Sequence, residues 1–95
     1  MPQAARHRDL DTGHGCYPPR PNAVASPDVF TNSRGQHRQT DEWETHCCGP
    51  ACHNSNTVKG SSTVFVNSLP AARVGDQVAC GSVIMTGSTN VFIGG

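Results

Sequence analysis

Residues 60–76 of the chain read GSSTVFVNSLPAARVGD, and this stretch indicates the fold. Its first part, 62–67, carries β-branched and aromatic residues at successive positions, which is typical of a strand. The Asn-Ser-Leu-Pro sequence at 67–70 is rich in turn-forming residues, and 71–74 can form a short return strand. The segment therefore predicts a tight β-hairpin.

This hairpin segment is one of three related copies. The sequence PDVFTN at 27–32 matches STVFVN at 62–67 with an offset of 35 residues, and TNVFI at 89–93 matches it with an offset of 27. Internal repeats determine the architecture of a chain before any other signal. We therefore expect an all-β domain in which three quasi-equivalent repeats create pseudo-threefold symmetry.

Two of the repeats also share a charged pair. Arg73 and Asp76 stand in the same relation as Arg38 and Asp41, again at an offset of 35. A guanidinium and a carboxylate three residues apart can form a bidentate ion pair. We interpret each pair as an ion pair that stabilises a turn, a turn lock, and not as a catalytic group.

The composition limits how large a core the chain can form. It has 95 residues and no net charge, and only sixteen residues are Leu, Ile, Val or Phe, below the roughly 20% usual for a globular domain. We predict one domain over residues 11–95, preceded by a polar tail over 1–10. So small a core needs an additional stabiliser, and five His and five Cys suggest a metal ion.

Several functional classes are disfavoured by the same composition. No segment approaches the roughly 20 apolar residues of a membrane span. The N-terminal residues lack an apolar signal region, which favours a cytoplasmic origin and reduced thiols. The sequence leaves the redox state of Cys16, Cys47, Cys48 and Cys52 open, and disulfides among them are the alternative. The charged residues form no basic stripe, which disfavours nucleic acid as a partner.

The repeat alignment also relates the candidate metal ligands. His53 and Cys80 are 27 residues apart, the offset of the second and third strands, and each stands nine residues before its strand. His14 opens the first repeat, and His46 ends it near the position where Cys80 follows the second. His and Cys are the ligands that zinc prefers. We therefore predict one structural Zn²⁺ held by His14, His46, His53 and Cys80.

Other readings of these residues remain open from spacing alone. A Cys-x3-Cys pair, Cys48 and Cys52, has acceptable zinc spacing, and all the His and Cys can instead be ordinary loop and core residues. His7 and His37 lie outside the repeat pattern, and we expect them to be solvated. The cysteines that compete as ligands are Cys16, Cys47, Cys48 and Cys52.

Catalysis finds little support in the sequence. Cys–His pairs are present, but no Asn or Asp is placed to orient one as in cysteine hydrolases. Glu42 and Glu44 are the nearest candidate bases for an open zinc site, and neither lies in a recognisable motif. We predict a non-enzymatic protein. The alternatives are a small zinc-binding interaction module and, less favoured, a metallohydrolase.

The motifs together resemble a known family. Residues 70–73 are the tetrapeptide Pro-Ala-Ala-Arg, followed by Val-Gly-Asp; Gly-His-Gly stands at 13–15 and Cys-Gly at 80–81. With the Gly-Ser-x-x-Val-Phe repeats, this combination over 11–95 resembles the PAAR-repeat proteins. The resemblance implies a small cone of short β-hairpins with a zinc-pinned apex, whose ligands, three His and one Cys, are by position those predicted above.

The resemblance also implies a function. The family forms the spike tip of contractile injection machines, namely type VI secretion systems and phage tails, and pierces membranes. The implied partner is a trimeric VgrG-like or phage-hub spike protein with one tip per trimer, together with effector or adaptor proteins and, transiently, the target membrane. The implied location is the bacterial cytoplasm before firing and then the outside or the target cell, or a phage tail tip.

One apolar set is expected to form the base that meets the spike. Strand alternation should point either the valines or the phenylalanines of the three repeats toward the core and the other set outward. The two sets are Val29, Val64 and Val91, and Phe30, Phe65 and Phe92.

Overall fold

The computed structural model describes all residues, 1–95, and contains strands and turns but no helix. The all-β prediction is therefore confirmed. The structure has no helix that is long and apolar enough to cross a membrane. Three antiparallel two-stranded hairpins are formed. Their strands are β1 Phe30–Thr31 with β2 Arg34–Gly35, β3 His46–Cys48 with β4 Ala51–His53, and β5 Phe65–Val66 with β6 Leu69–Pro70.

The first and third hairpins are built in the same way, as the offset of 35 predicts. Asn32 and Ser33 link β1 to β2, and Asn67 and Ser68 link β5 to β6; all four have positive φ, between 52° and 66°. Two consecutive left-handed residues define a type I′ turn, which matches the twist of the flanking strands. Asn tolerates this conformation better than most residues.

The third repeat is completed by the N-terminus of the chain. Gln3 pairs with Phe92, and the Ala4 N–H donates to the Val91 carbonyl at 2.9 Å. The expected polar tail over 1–10 is therefore wrong: Ala4 and Ala5 are fully buried, because residues 2–5 form the return strand of the third repeat. The equivalent pairs in the other repeats are Phe30–Gly35 and Phe65–Pro70.

An Arg–Asp turn follows the return strand in all three repeats. In the second repeat, Asp76 accepts bonds of 2.8–3.1 Å from the Arg73 backbone N–H, Nε and Nη2, while its own N–H donates to the Arg73 carbonyl. The predicted role as a turn lock is confirmed. The same four bonds recur in two further pairs, Arg6–Asp9 and Arg38–Asp41.

A closed triangle of backbone hydrogen bonds joins the three repeats. Ala5 N–H donates to the Ala72 carbonyl, Ala72 N–H to His37, and His37 N–H to Ala5, at 2.9–3.0 Å. Each residue lies one position before the Arg of its repeat. The pseudo-threefold symmetry expected from the repeats is thus present in the hydrogen bonding.

Beyond this triangle, six short segments form a closed antiparallel ring. Since neighbours run in opposite directions, the connections alternate between two ends. At one end, the apex, lie 13–19, 45–54 and 80–81; at the other, the base, lie 23–41, 58–76 and the two chain termini. The apex connections are much shorter than the base connections. The bridges that close the ring are Leu10–Pro21, Asn22–Trp43, Glu42–Asn56, Thr57–Val78, Gln77–Val83 and Asp11–Ile84.

The interior is small, as the composition predicts, and it is also largely polar. Nine apolar side chains are buried against sixteen polar or charged ones, yet every buried side-chain N or O atom has a hydrogen-bond partner. Hydrogen bonds among the buried polar groups therefore supply much of the stability that other domains gain from a larger apolar core. The apolar clusters are Ala5, Trp43, Ala72, Val78 and Ile84 near the ring, and Ala4, Val66, Ala71 and Ile93 toward the base.

His37 belongs to this interior, and the expectation that it is solvated is wrong. Its ring is fully buried at an edge of Trp43, with Nδ1 2.8 Å from the Val24 carbonyl and Nε2 2.7 Å from Thr57 Oγ1. Residue 37 belongs to the closed triangle of hydrogen bonds where the three repeats meet, and all three residues of that triangle are fully buried. Burial lowers the pKa of His37 to about 4, so the ring is neutral.

Candidate metal centre

The apex connections bring the four predicted residues together. The ligand atoms of His14, His46, His53 and Cys80 all lie within 4.8 Å of one another; we call this group the His–Cys cluster. His46 and His53 are directly opposite each other on β3 and β4, so their rings project from the same face of the hairpin. Each of the three apex connections contributes at least one member.

Tight turns hold the other two members in place. His14 and Tyr17 exchange backbone hydrogen bonds of 2.9 and 3.1 Å, and Gly13 and Gly15 on either side of His14 have positive φ. A Cβ on Gly13 would lie 2.4 Å from the Tyr17 carbonyl oxygen, so only Gly fits there. Cys80 sits in a turn closed by the Gly81 N–H, which donates to the Val78 carbonyl at 2.9 Å.

The spacing of the cluster is close to that of a small tetrahedral cation site. His53 Nε2 lies 2.8 Å from His46 Nε2 and 3.1 Å from His14 Nε2. In a tetrahedral zinc site with ligands about 2.1 Å from the ion, ligand atoms stand about 3.4 Å apart. One proton can serve only one of these N···N contacts, whereas a shared cation accommodates all the nitrogen lone pairs and the Cys80 sulfur.

Groups around the cluster orient the imidazoles. His46 Nδ1 donates to the Pro18 carbonyl at 2.9 Å, which leaves Nε2 as the free nitrogen, an arrangement typical of metal-binding histidines. The Tyr17 ring packs against all three imidazoles, with centroids 4.3–4.8 Å apart. Tyr17 thereby fills the apolar side of the cluster.

Arg20 links the three apex connections from beneath the cluster. Its guanidinium donates to Cys80 Sγ at 3.1 Å, to the Glu44 carbonyl at 2.9 Å and to the His53 carbonyl at 3.3 Å. A buried ion pair with Asp11, at 3.1 Å, neutralises it. Neither Arg20 nor Asp11 is predicted from the sequence, because nine residues separate them and no repeat offset marks either one.

The local electrostatics favour the metal-binding forms of two members. Burial raises the pKa of the Cys80 thiol, but hydrogen bonds from Ser82 and the positive charge of Arg20 outweigh it, and the pKa is lowered overall. Burial, with the neighbouring rings of His46 and His14, lowers the pKa of His53. A thiolate and a neutral imidazole are the species that bind zinc.

The remaining cysteines stay outside the His–Cys cluster. Cys16 is bonded to Cys48 and Cys47 to Cys52, while Cys80 is free. Cys47 and Cys48 are consecutive strand residues and point to opposite faces of the hairpin. The four therefore do not converge on one centre.

Comparison with known proteins agrees with this arrangement. The family model of the PAAR motif matches residues 12–86, which include all four members of the His–Cys cluster. The chain belongs to the PAAR-motif family. The return strand of residues 2–5 and the Val91–Ile93 segment that it pairs with lie outside the matched range.

Relatives of this PAAR protein include large bacterial toxins. The chain is 38% identical over 73 residues to the NAD(P)(+) glycohydrolase toxin Tse6 of Pseudomonas aeruginosa PAO1 and to the (p)ppApp synthetase toxin Tas1 of P. aeruginosa UCBPP-PA14, covering 70% of this chain and 17% of each toxin. It is 36% identical over 76 residues to the double-stranded DNA deaminase toxin A of Burkholderia cenocepacia H111, covering 76% of this chain and 5% of the toxin. The chain thus spans less than a fifth of these relatives.

Proposed function

We propose that the protein is a non-enzymatic spike tip of a type VI secretion system, seated one copy per trimer on the end of a VgrG-like β-helical spike. The single observation that carries the proposal is a threefold set of exposed apolar side chains at the base. The toxin relatives favour a secretion system over a phage tail, since the matched domain accompanies bacterial toxins.

The base presents three equivalent apolar pairs to solvent. Their valines are 37–40% exposed and their phenylalanines 48–62% exposed, so the expectation that one set faces the core is wrong. The core position of each strand is the residue after the Phe: Thr31, Val66 and Ile93 are buried. The exposed pairs are Val29–Phe30, Val64–Phe65 and Val91–Phe92.

Such a surface is unusual for a small soluble domain and fits a symmetric partner. A contiguous exposed apolar patch marks an interaction site, and a trimer presents its contacts three times around an axis. A single chain with internal threefold repeats can match all three subunits at once. Docking also covers the strand edges that end a β-helical trimer.

At the opposite end, we propose that one zinc ion is bound by His14, His46, His53 and Cys80. When bound, zinc supplies a closed structural centre that ties the three apex connections together. The chain's own contribution is to hold the four ligand atoms close together, with Pro18 orienting His46 from outside the cluster. A point built from short Gly- and Pro-containing loops has little apolar packing, so this link would let it keep its shape against a membrane.

Binding to the spike tests the proposal. Recombinant VgrG-like trimer is mixed with the wild-type chain and with a Phe30→Ser/Phe65→Ser/Phe92→Ser variant, and the complex mass is measured by light scattering. We expect one wild-type chain per trimer and no binding by the variant. Val58, an exposed apolar residue outside the three pairs, provides the matched control, and Val58→Ser should bind normally. Absence of wild-type binding, or equal binding by the triple variant, would refute the docking role.

A further inference from the structure

We propose that the Cys16–Cys48 and Cys47–Cys52 disulfides are the oxidised state of a redox site, which a disulfide reagent forms from four thiols, and that the two bonds hold the His–Cys cluster in register. The inference rests on the proposed function, because it concerns the same apex. It is suggested first by position: the cysteines flank the cluster histidines in the sequence, with Cys47 directly after one and Cys52 directly before another.

The first cross-link fixes the hairpin that carries two imidazoles. Cys47 and Cys52 are directly opposite on β3 and β4, with Cα atoms 4.1 Å apart, close to the spacing of about 4.5 Å in the tighter antiparallel pairs. The adjacent pair along this hairpin is His46 with His53. A bond between the sulfurs therefore holds the two histidines at their spacing even when no ion links them.

The second cross-link joins a different apex connection to the same hairpin. Cys16 lies two residues after His14, and its Cα is 5.4 Å from that of Cys48, 32 residues away in the chain. This distance is within the usual range for a disulfide. The two bonds together tie all three cluster histidines to one another, and neither uses the Cys80 thiol.

The pairing is set by the strand geometry. Because Cys47 and Cys48 point to opposite faces of β3, each pairs with a different cysteine: Cys47 with Cys52 across the hairpin, and Cys48 with Cys16. The vicinal pair Cys47–Cys48 is excluded for the same reason. The site thus has one defined product.

Solvent access permits thiol–disulfide exchange at both pairs. Cys16, Cys47 and Cys52 are exposed, and Cys48 is half-buried. An exposed thiolate attacks one sulfur of a disulfide reagent, forming a mixed disulfide and releasing one reagent thiolate. The partner thiolate then attacks the protein sulfur and releases the second. Each pair loses two electrons and two protons to one reagent disulfide, which leaves as two thiols.

The consequence is a tip that responds to the redox state of its surroundings. In a reducing compartment the ion and the Arg20 hydrogen bonds join the apex connections, and in an oxidising one the two disulfides also hold the ligands in position. Loss of the ion requires the ligands to separate, which the bonds oppose. We therefore expect oxidation to slow the release of zinc by about tenfold, the lower range for groups that orient metal ligands.

The test uses the intact chain in its reduced and oxidised forms. Zinc-loaded protein is treated with reduced or oxidised glutathione, digested without reduction and mapped by mass spectrometry, and zinc release to a chelator is timed. Because the two forms share one sequence, folding differences between variants do not enter. Cys16→Ser/Cys48→Ser and Cys47→Ser/Cys52→Ser each remove one bond and provide matched controls.

We expect a mass lower by about 4 Da on oxidation, from four hydrogens lost in two exchanges, with pairs 16–48 and 47–52 and slower zinc release. Each double variant should lose about half of the mass change. Thiols that stay reactive in oxidised glutathione, any other pairing, or equal release rates would overturn the inference. A chain that binds no zinc refutes the proposed metal centre instead, and the mapping alone then decides whether the oxidation site exists.

Discussion

The buried His37 should make the stability of the fold depend on pH. Burial lowers its pKa from 6.5 to about 4, against the opposing effects of the Val24 carbonyl and the Asp41 carboxylate, whose Oδ2 is 4.0 Å from Nδ1. Arg38 lowers this pKa further and Asp9 raises it. Between pH 6.5 and 4 the unfolded chain therefore binds a proton here that the folded chain does not.

The sign and the magnitude of this pH-dependent contribution to stability follow from the linkage between proton binding and folding. Stability rises with pH wherever the unfolded state binds more protons, so the contribution of His37 is complete above pH 6.5 and is lost as the pH falls to 4. A difference of 2.5 pKa units corresponds to on the order of 3 kcal/mol, at 1.36 kcal/mol per unit. This is a large fraction of the roughly 5–15 kcal/mol stability of a typical domain.

The assay compares the wild type with His37→Gln by chemical denaturation from pH 7.5 to 4. The Gln amide can donate to Val24 and accept from Thr57, as the neutral imidazole does, but it does not titrate. The difference in unfolding free energy between the two proteins should change by about 3 kcal/mol across this range, while effects of protonating the His–Cys cluster cancel. Parallel pH profiles, or a ring NMR titration of His37 centred near 6.5, would refute the reasoning.

Three further changes test other parts of the structure. Asp76→Asn should lower the unfolding free energy by about 3 kcal/mol, because it leaves a buried guanidinium without its counter-charge; an unchanged Tm would contradict the turn lock. Val66→Ala should lower the unfolding free energy, measured by denaturation, by about 2 kcal/mol, and Val64→Ala, at an exposed position, should lower it clearly less. Equal losses would contradict the assignment of Val66, and not Val64, to the core. Arg20→Lys should weaken zinc binding by about 10–100-fold in a chelator competition, whereas the surface change Arg8→Lys should not; equal affinities would deny Arg20 its supporting role.

The repeats were readable from the sequence because they are local. The strand, the Asn-Ser turn and the Arg-x-x-Asp lock each lie within a few residues, so an offset of 35 was enough to identify the first and third hairpins. The offset of 27 related His53 to Cys80, and His14 and His46 were chosen from their positions at the two ends of the first repeat; the fold does bring the four ligand atoms within 4.8 Å of one another.

The pairing of the N-terminal residues with the third repeat could not be predicted from local sequence in the same way. Residues 2–5 pair with a segment almost ninety residues away, and nothing in their local polarity indicates a strand. One signal was present: Ala4-Ala5-Arg6 and Asp9 repeat the pattern of residues 71–76, and aligning them would have identified a third Arg–Asp turn in place of a tail.

Burial of polar residues also escaped prediction, for a physical reason. His37 and Arg20 occur among Gly, Pro and polar neighbours that read as surface loops. Their burial follows from the closed hydrogen-bond triangle and the six-segment ring, which exist only when all three repeats are assembled. Side-chain alternation failed at the base for a related reason: the strands have only two residues, too few to define two faces.

The most direct test of the proposed metal centre is zinc-edge X-ray absorption on purified protein of known metal content. We predict one zinc per chain, coordinated by three imidazole nitrogens and one sulfur, with the sulfur signal lost in Cys80→Ser. A chain that takes up no zinc, or a centre with two or more sulfur ligands, would contradict the assignment of His14, His46, His53 and Cys80.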